Sequence, residues 1–156
     1  MATTALPRKP KATPVQTLES AVEATTDLDA LFPGRYLNIT SFKRDGTGVA
    51  TPVWFVSDGT RLLAFTDLHS AKIRRIRRNP RVLVASCWPW GQLRREPLPA
   101  RAEVLTDTGE LECVRELLLA RYGISYRVVM LFYRLGRRVR GKQTVADGAA
   151  LAITLD

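Results

Sequence analysis

Residues 35 to 66 constrain the fold more than any other stretch of the chain. The segment RYLNITSF (35–42) is rich in β-branched and aromatic residues. KRDGTG (43–48) follows with Asp45-Gly46, a hairpin turn signal, and VATPVWFV (49–56) reads as the returning strand. Ser57-Asp58-Gly59 turns the chain again into TRLLAFT (60–66). Strands joined by turns this short lie antiparallel, because parallel neighbours need a crossover of a dozen or more residues.

The rest of the chain extends this pattern. RVLVASC (81–87) is a β-branched strand, LPARAEVL (98–105) alternates apolar and polar positions, and ALAITLD (150–156) reads as a last strand. Helical spacing is confined to a few places. Leu18 to Phe32 forms a short amphipathic pattern ended by Pro33-Gly34. A brief helix follows Ser70. Asp107 with Glu110 resembles a capping box, with Leu111, Val114 and Leu118 on one face until Gly123. A last helix from about Ser125 to Leu135 is apolar around most of its surface. Strands and helices do not alternate as a parallel fold requires. The expectation is a mainly β fold: a small antiparallel barrel with attached helices. A length of 156 residues accommodates one domain. Residues 1–17, rich in Ala, Thr, Pro and Lys without apolar period, read as a disordered tail, and 18–156 as the folded domain.

The formal net charge is +9, and it is uneven. Residues 72 to 101 hold Lys72 and eight arginines against one acid, Glu96, and a second basic block runs from Arg134 to Lys142. Such a chain favours acidic partners without naming one. Cys87 and Cys113 make neither a disulfide framework nor a metal-ligand cluster, so reduced thiols, a cytoplasmic location and no metal are expected. No apolar run is long enough to span a membrane, and the basic N-terminus lacks the apolar segment of a signal peptide; no membrane partner is expected.

The densest charge lies in TDLHSAKIRRIRRNPRV (66–82). Ser70 is a good N-cap, Ile73 and Ile76 share a face, and Asn79-Pro80 ends the helix. A helix start offers unpaired N–H groups and the positive end of its dipole, so an anion is stabilised there. Ser70 adds a hydroxyl, Lys72 a point charge, and Arg75 lies three residues beyond Lys72. Strand-ending Thr66, Ser70 and Lys72 together make a plausible phosphate site. On the pattern alone a solvated basic face explains the run as well, and it is the better account of Arg77 and Arg78. His69 reads as a capping or packing residue. Nucleic acid is not expected, because its bases would call for aromatics interleaved with the basic run, and none lies between 72 and 81.

Taken in order, GVATPVWFV (48–56), AFTDLHSAKIRRIRRNPRVLVASC (64–87) and ARAEVL (100–105) resemble the split β-barrel flavin-binding superfamily that includes pyridoxamine 5′-phosphate oxidase. They look most like its branch that uses the deazaflavin coenzyme F-420. The resemblance covers about residues 35 to 155. It implies a six-stranded antiparallel split barrel and a homodimer with cofactor sites at the subunit interface. It further implies that the strand through Val49, Thr51, Pro52, Val53 and Trp54 lines the ring system. Thr66, Ser70, Ala71 and Lys72 would hold the phosphate with help from Arg75, and Arg74, Arg75 or Arg78 would meet the anionic tail. The branch often carries a Cys-Asp-x-Arg-Gly-like loop after the next strand. Here it reads Cys87-Trp88-Pro89-Trp90-Gly91, which makes Trp88, Trp90 and Arg94 candidates for substrate contact or dimer packing.

The chemistry so implied is hydride transfer from reduced F-420 to a conjugated small molecule of the quinone, tetrapyrrole or activated-alkene class. The chain shows no Ser-His-Asp set and no acid–base pair, as suits a reaction whose chemistry belongs to the cofactor. Water, or a nearby residue such as Tyr36 or Arg94, is the candidate proton source. The rivals are an FMN-dependent oxidase or reductase on the same fold, and a non-catalytic protein that binds the cofactor or haem.

Overall fold

A computed structural model describes residues 28–139 and 148–156. The expected tail at 1–17, most of the helix expected at 18–32 and the end of the second basic block lie outside these residues. Six strands, β1 (Tyr36–Phe42), β2 (Gly48–Ser57), β3 (Leu62–Asp67), β4 (Arg81–Cys87), β5 (Leu98–Leu105) and β6 (Gly148–Leu155), form a closed antiparallel barrel in the order β1-β2-β3-β6-β5-β4. Among the described residues, three helices accompany them, α1 (Ala71–Arg78), α2 (Thr108–Tyr122) and α3 (Ile124–Val139), besides a helical turn at 28–31 where the described residues begin. The fold is therefore the mainly β split barrel expected from the sequence.

Local signals set the element ends. Gly46 turns the β1–β2 hairpin at φ 85°, where a side chain at Cβ would be strained. The Asp58 carboxylate accepts from the Thr60 and Arg61 backbone N–H groups, which delays the start of β3 to Leu62. Those bonds favour the carboxylate and hold the Asp58 pKa low, although burial opposes them as the largest single influence. Asp107 caps α2 through the N–H groups of Gly109 and Glu110, and Gly123 ends it. α3 runs to Val139, four residues past the expected end.

Two cores result. The barrel interior holds Leu37, Ile39, Phe55, Leu62, Ala64, Val82, Val84 and Leu151, with Ile73 and Ile76 of α1 closing over it. A second cluster lies outside the barrel, where Val114, Leu118 and Tyr122 of α2 and Tyr126 of α3 cover Val56, Leu63, Ala150 and Ala152. β3 and β6 are thus apolar on both faces, which explains their continuous runs LLAF and ALAI, whereas β5 is covered on one face and alternates. Tyr122 anchors the second cluster. Its hydroxyl lies 2.5 Å from the Phe55 carbonyl oxygen and 2.9 Å from that of Arg35, and its ring stacks on Trp54 at 4.9 Å.

A candidate cofactor cleft where the barrel splits

β2 is paired with β1 from Gly48 to Trp54, but with β3 only from Phe55 to Ser57. β3 continues to Asp67 along β6. The two strands therefore part at Trp54 and Phe65. Had their ladder continued, Val53 would face Thr66 and Pro52 would face Asp67. Among the described residues, the outer edge of Gly48–Val53 has no strand partner. Pro52 suits this edge, because proline has no N–H for a ladder.

Thr51, Pro52 and Val53 lie on the stretch of β2 that β3 does not pair, Thr66 lies on β3 beyond the parting, and α1 begins four residues after β3 ends. Val49 and Thr51 are half-buried on the same strand. Trp54 goes elsewhere: its ring packs on Tyr122 and Tyr126 in the second core and meets Tyr36 edge-on.

Ser70 caps α1, its Oγ accepting from the Ile73 N–H at 3.4 Å, and the first turn of α1 carries no acid. Lys72 is the unexpected residue. The sequence presents it as a surface charge, but it is only 6% exposed, buried on the side of α1 that carries Ile73 and Ile76. No hydrogen bond or ion pair reaches its ammonium among the described residues. Desolvation, with a smaller push from the Arg75 charge, lowers its pKa from 10.5 to about 8. Ser86 Oγ is the only buried side-chain polar atom without a partner among the described residues, so the Lys72 ammonium keeps some solvent contact. A largely desolvated cation is still costly, and an anion beside it would relieve the cost.

The opposite side of α1 forms a pocket of about 510 Å³ lined by Lys43, Arg44, Ala71, Arg74, Arg75 and Arg78. Five of its six lining residues are cations, and none is an acid. Arg75 is held by its Nε–H bond to Ser41 Oγ (2.9 Å), and Arg78 by a bond to the Phe42 carbonyl (2.9 Å). Arg78 is thus more than part of a solvated face, while Arg77 points to solvent. Lys43 and Arg44 were not singled out from the sequence. Their signal was the basic pair at the start of the KRDGTG turn, which the hairpin folds back toward α1.

Trp88, Trp90 and Arg94 form a separate stack. The indoles are parallel at 5.5 Å, and the Arg94 guanidinium lies 4.3 Å from the Trp88 ring centre. The loop is closed by the Gly91 N–H on the Trp88 carbonyl and the Arg94 N–H on that of Ser86. It leaves the barrel beside Tyr36, which pairs with Cys87, whereas α1 is tied to Ser41 and Phe42. Tyr36 and Ser41 are five residues apart on β1, about 17 Å at strand rise. Within one chain the structure does not bring the Trp stack and the cationic pocket together.

Among the described residues no group of His, Cys, Asp and Glu could hold a metal, and no helix is long and apolar enough to cross a membrane.

No curated protein matches the sequence. Solved structures do resemble the fold. An F-420 reductase matches 82% of this chain and 92% of its own at 20% identity and a TM-score of 0.51. A pyridoxamine 5′-phosphate oxidase-related, FMN-binding protein from Nostoc punctiforme PCC 73102 matches 92% of this chain and 81% of its own at 16% identity and 0.51. The haem storage protein HutZ from Vibrio cholerae matches 90% and 89% at 12% identity and 0.50. Identities this low speak for the fold alone. The family model for pyridoxamine 5′-phosphate oxidase spans residues 25–155, from the edge of the described residues through the whole barrel. With that match over more than four fifths of the chain, the chain belongs to the pyridoxamine 5′-phosphate oxidase family.

Proposed function

We propose that the protein is an oxidoreductase that uses coenzyme F-420 to reduce a conjugated small molecule of the quinone, tetrapyrrole or activated-alkene class. The observation that carries this reading is the charge around α1. A largely buried Lys72, its charge desolvated, stands on the other side of α1 from a pocket with five cations and no acid. One phosphate, as in FMN, would leave much of this charge uncompensated. A phosphodiester followed by a tail of carboxylates suits it better.

The cofactor supplies the hydride when bound, and the chain's residues bind and orient it. Thr51, Pro52 and Val53 offer their open edge to the planar ring, with Val49 and Trp54 supporting that strand. Thr66, Ser70, Ala71 and Lys72 hold the phosphate. The Ser70 hydroxyl accepts from Ile73 and keeps its own proton to donate. Arg75, with Arg74, Arg78, Lys43 and Arg44, holds the tail. Arg75 and Arg78, tied to Ser41 and Phe42, are oriented before binding, which reduces the ordering cost. The active form is a homodimer. Given the distance along β1, if Trp88, Trp90 and Arg94 touch the substrate, they do so from the second copy.

Fluorescence titration of the purified protein with F-420 and with FMN, with Lys72→Ala alongside, tests the reading. Tight F-420 binding that Lys72→Ala weakens supports it. Preference for FMN moves the protein to the flavin-dependent oxidases and reductases of this fold. Binding of neither, or of haem alone, refutes it.

A further inference from the structure

α3 presents an apolar stripe that none of the other described residues covers. Ile124 is 79% exposed, Val128 43%, Leu131 57% and Leu135 48%. Spaced four, three and four residues apart, they fall within an arc of about 60°. Tyr126, the residue of α3 that enters the second core, lies about 200° round from Ile124. The stripe therefore points away from the protein body. Four large aliphatic side chains side by side on a surface mark an interaction site rather than scattered exposure.

The charge of the helix decides what fits. Between Ile124 and Val139 the sequence has Arg127, Arg134, Arg137 and Arg138, and neither Asp nor Glu. By helical spacing Arg127, Arg134 and Arg138 fall on one flank of the stripe, so two copies of α3 meeting along it would bring arginines together without one carboxylate on either helix. An anionic lipid surface provides both what the aliphatic side chains need and what the arginines need. A helix with an apolar face and arginine-rich flanks lies in the headgroup region with its apolar side toward the acyl chains.

We propose that α3 docks the protein on an anionic membrane surface, with Ile124, Val128, Leu131 and Leu135 inserted and the arginines among the headgroups. This departs from the sequence-based expectation that no membrane takes part. That expectation rested on the lack of a spanning segment, and α3 lies on the bilayer without crossing it. It is independent of the cofactor reading, since none of these residues lines the cleft or the cationic pocket.

The test is flotation of the full chain with vesicles of phosphatidylcholine alone and of phosphatidylcholine mixed with phosphatidylglycerol. The protein is expected on the mixed vesicles only, and added salt should release it. Leu131→Ser/Leu135→Ser should weaken the partitioning about tenfold or more, since each leucine loses most of its burial term. Arg127→Glu should weaken it without touching the stripe. All three positions are exposed, and circular dichroism with thermal melting checks that the variants remain folded. Absence of binding to the mixed vesicles overturns the proposal, as does equal binding by the double variant. A dimer in sedimentation equilibrium that the double variant splits into monomers also overturns it, because a second copy then covers the stripe.

Discussion

Replacing Lys72 with methionine should stabilise the ligand-free protein and weaken its hold on an anionic cofactor. The pKa of this buried ammonium is lowered from 10.5 to about 8, chiefly by desolvation and then by the Arg75 charge. At about 1.4 kcal/mol for each tenfold change in proton affinity, that lowering corresponds to about 3 kcal/mol. The sign follows from proton binding. Between about pH 8 and 10.5 the unfolded chain holds a proton on this lysine that the folded chain has lost, so stability rises with pH across that window. Below about pH 8 the folded protein carries the full penalty, and above 10.5 it carries none. Methionine has similar length and no charge, so Lys72→Met should be more stable at pH 7 by up to about 3 kcal/mol. In a domain of this size that is roughly 6–12 °C in Tm.

Calorimetry of both proteins at several pH values between 7 and 10.5 provides the check. The difference between them is the quantity to follow, because burial also raises the pKa of Tyr122 and Cys87. Those two groups make the folded state lose stability at alkaline pH in both proteins, and the subtraction removes them. The gain should be largest at pH 7 and vanish by about 10.5. A variant equal to or less stable than the parent at pH 7, or a difference that does not change with pH, refutes the argument that desolvation of the Lys72 charge costs the folded state stability.

Further outcomes follow from the same structure. Cofactor affinity should fall as pH rises above about 8 in the parent and stay flat in Lys72→Met, as read by fluorescence titration. Tyr122→Phe removes a hydroxyl bonded to the buried Phe55 carbonyl and should cost about 1–3 kcal/mol in urea unfolding. A Cβ at Gly148 would overlap the Phe65 ring, so Gly148→Ala should destabilise by about 1–3 kcal/mol, and Phe65→Leu in the same chain should recover part of that loss. Trp90, mostly exposed, should tolerate alanine with less than about 0.5 kcal/mol of change. If it forms part of the substrate surface, the same change raises KM for the acceptor.

Much of the fold was legible in short segments. Turn residues at Asp45-Gly46 and Ser57-Asp58-Gly59, caps at Ser70 and Asp107, and the stop at Gly123 act through hydrogen bonds between near neighbours, so a linear pattern carries them. The capping box was half right: Asp107 accepts from the first turn of α2. The candidate site was legible only in pieces. The sequence marked Thr51 to Val53, Thr66, Ser70, Lys72 and Arg75 separately, and their resemblance to a known pattern joined them. It could not show that β2 leaves β3 at Trp54, that Trp54 turns into the second core, or that Lys43 and Arg44 meet Arg74 and Arg78.

What the chain determined by itself was the antiparallel β architecture, the caps and turns, and the excess of positive charge near α1, because these depend on neighbours a few residues apart. Tertiary structure alone decided which of those charges are surface and which are not. Ile73 and Ile76 must close the barrel, and on a helix that also buries the face they share with Lys72. The same packing leaves Arg74, Arg75 and Arg78 on the other side of α1 beside the β1–β2 turn. Burial and long-range proximity, which no local pattern encodes, turn a run of basic residues into one desolvated lysine and one cationic pocket.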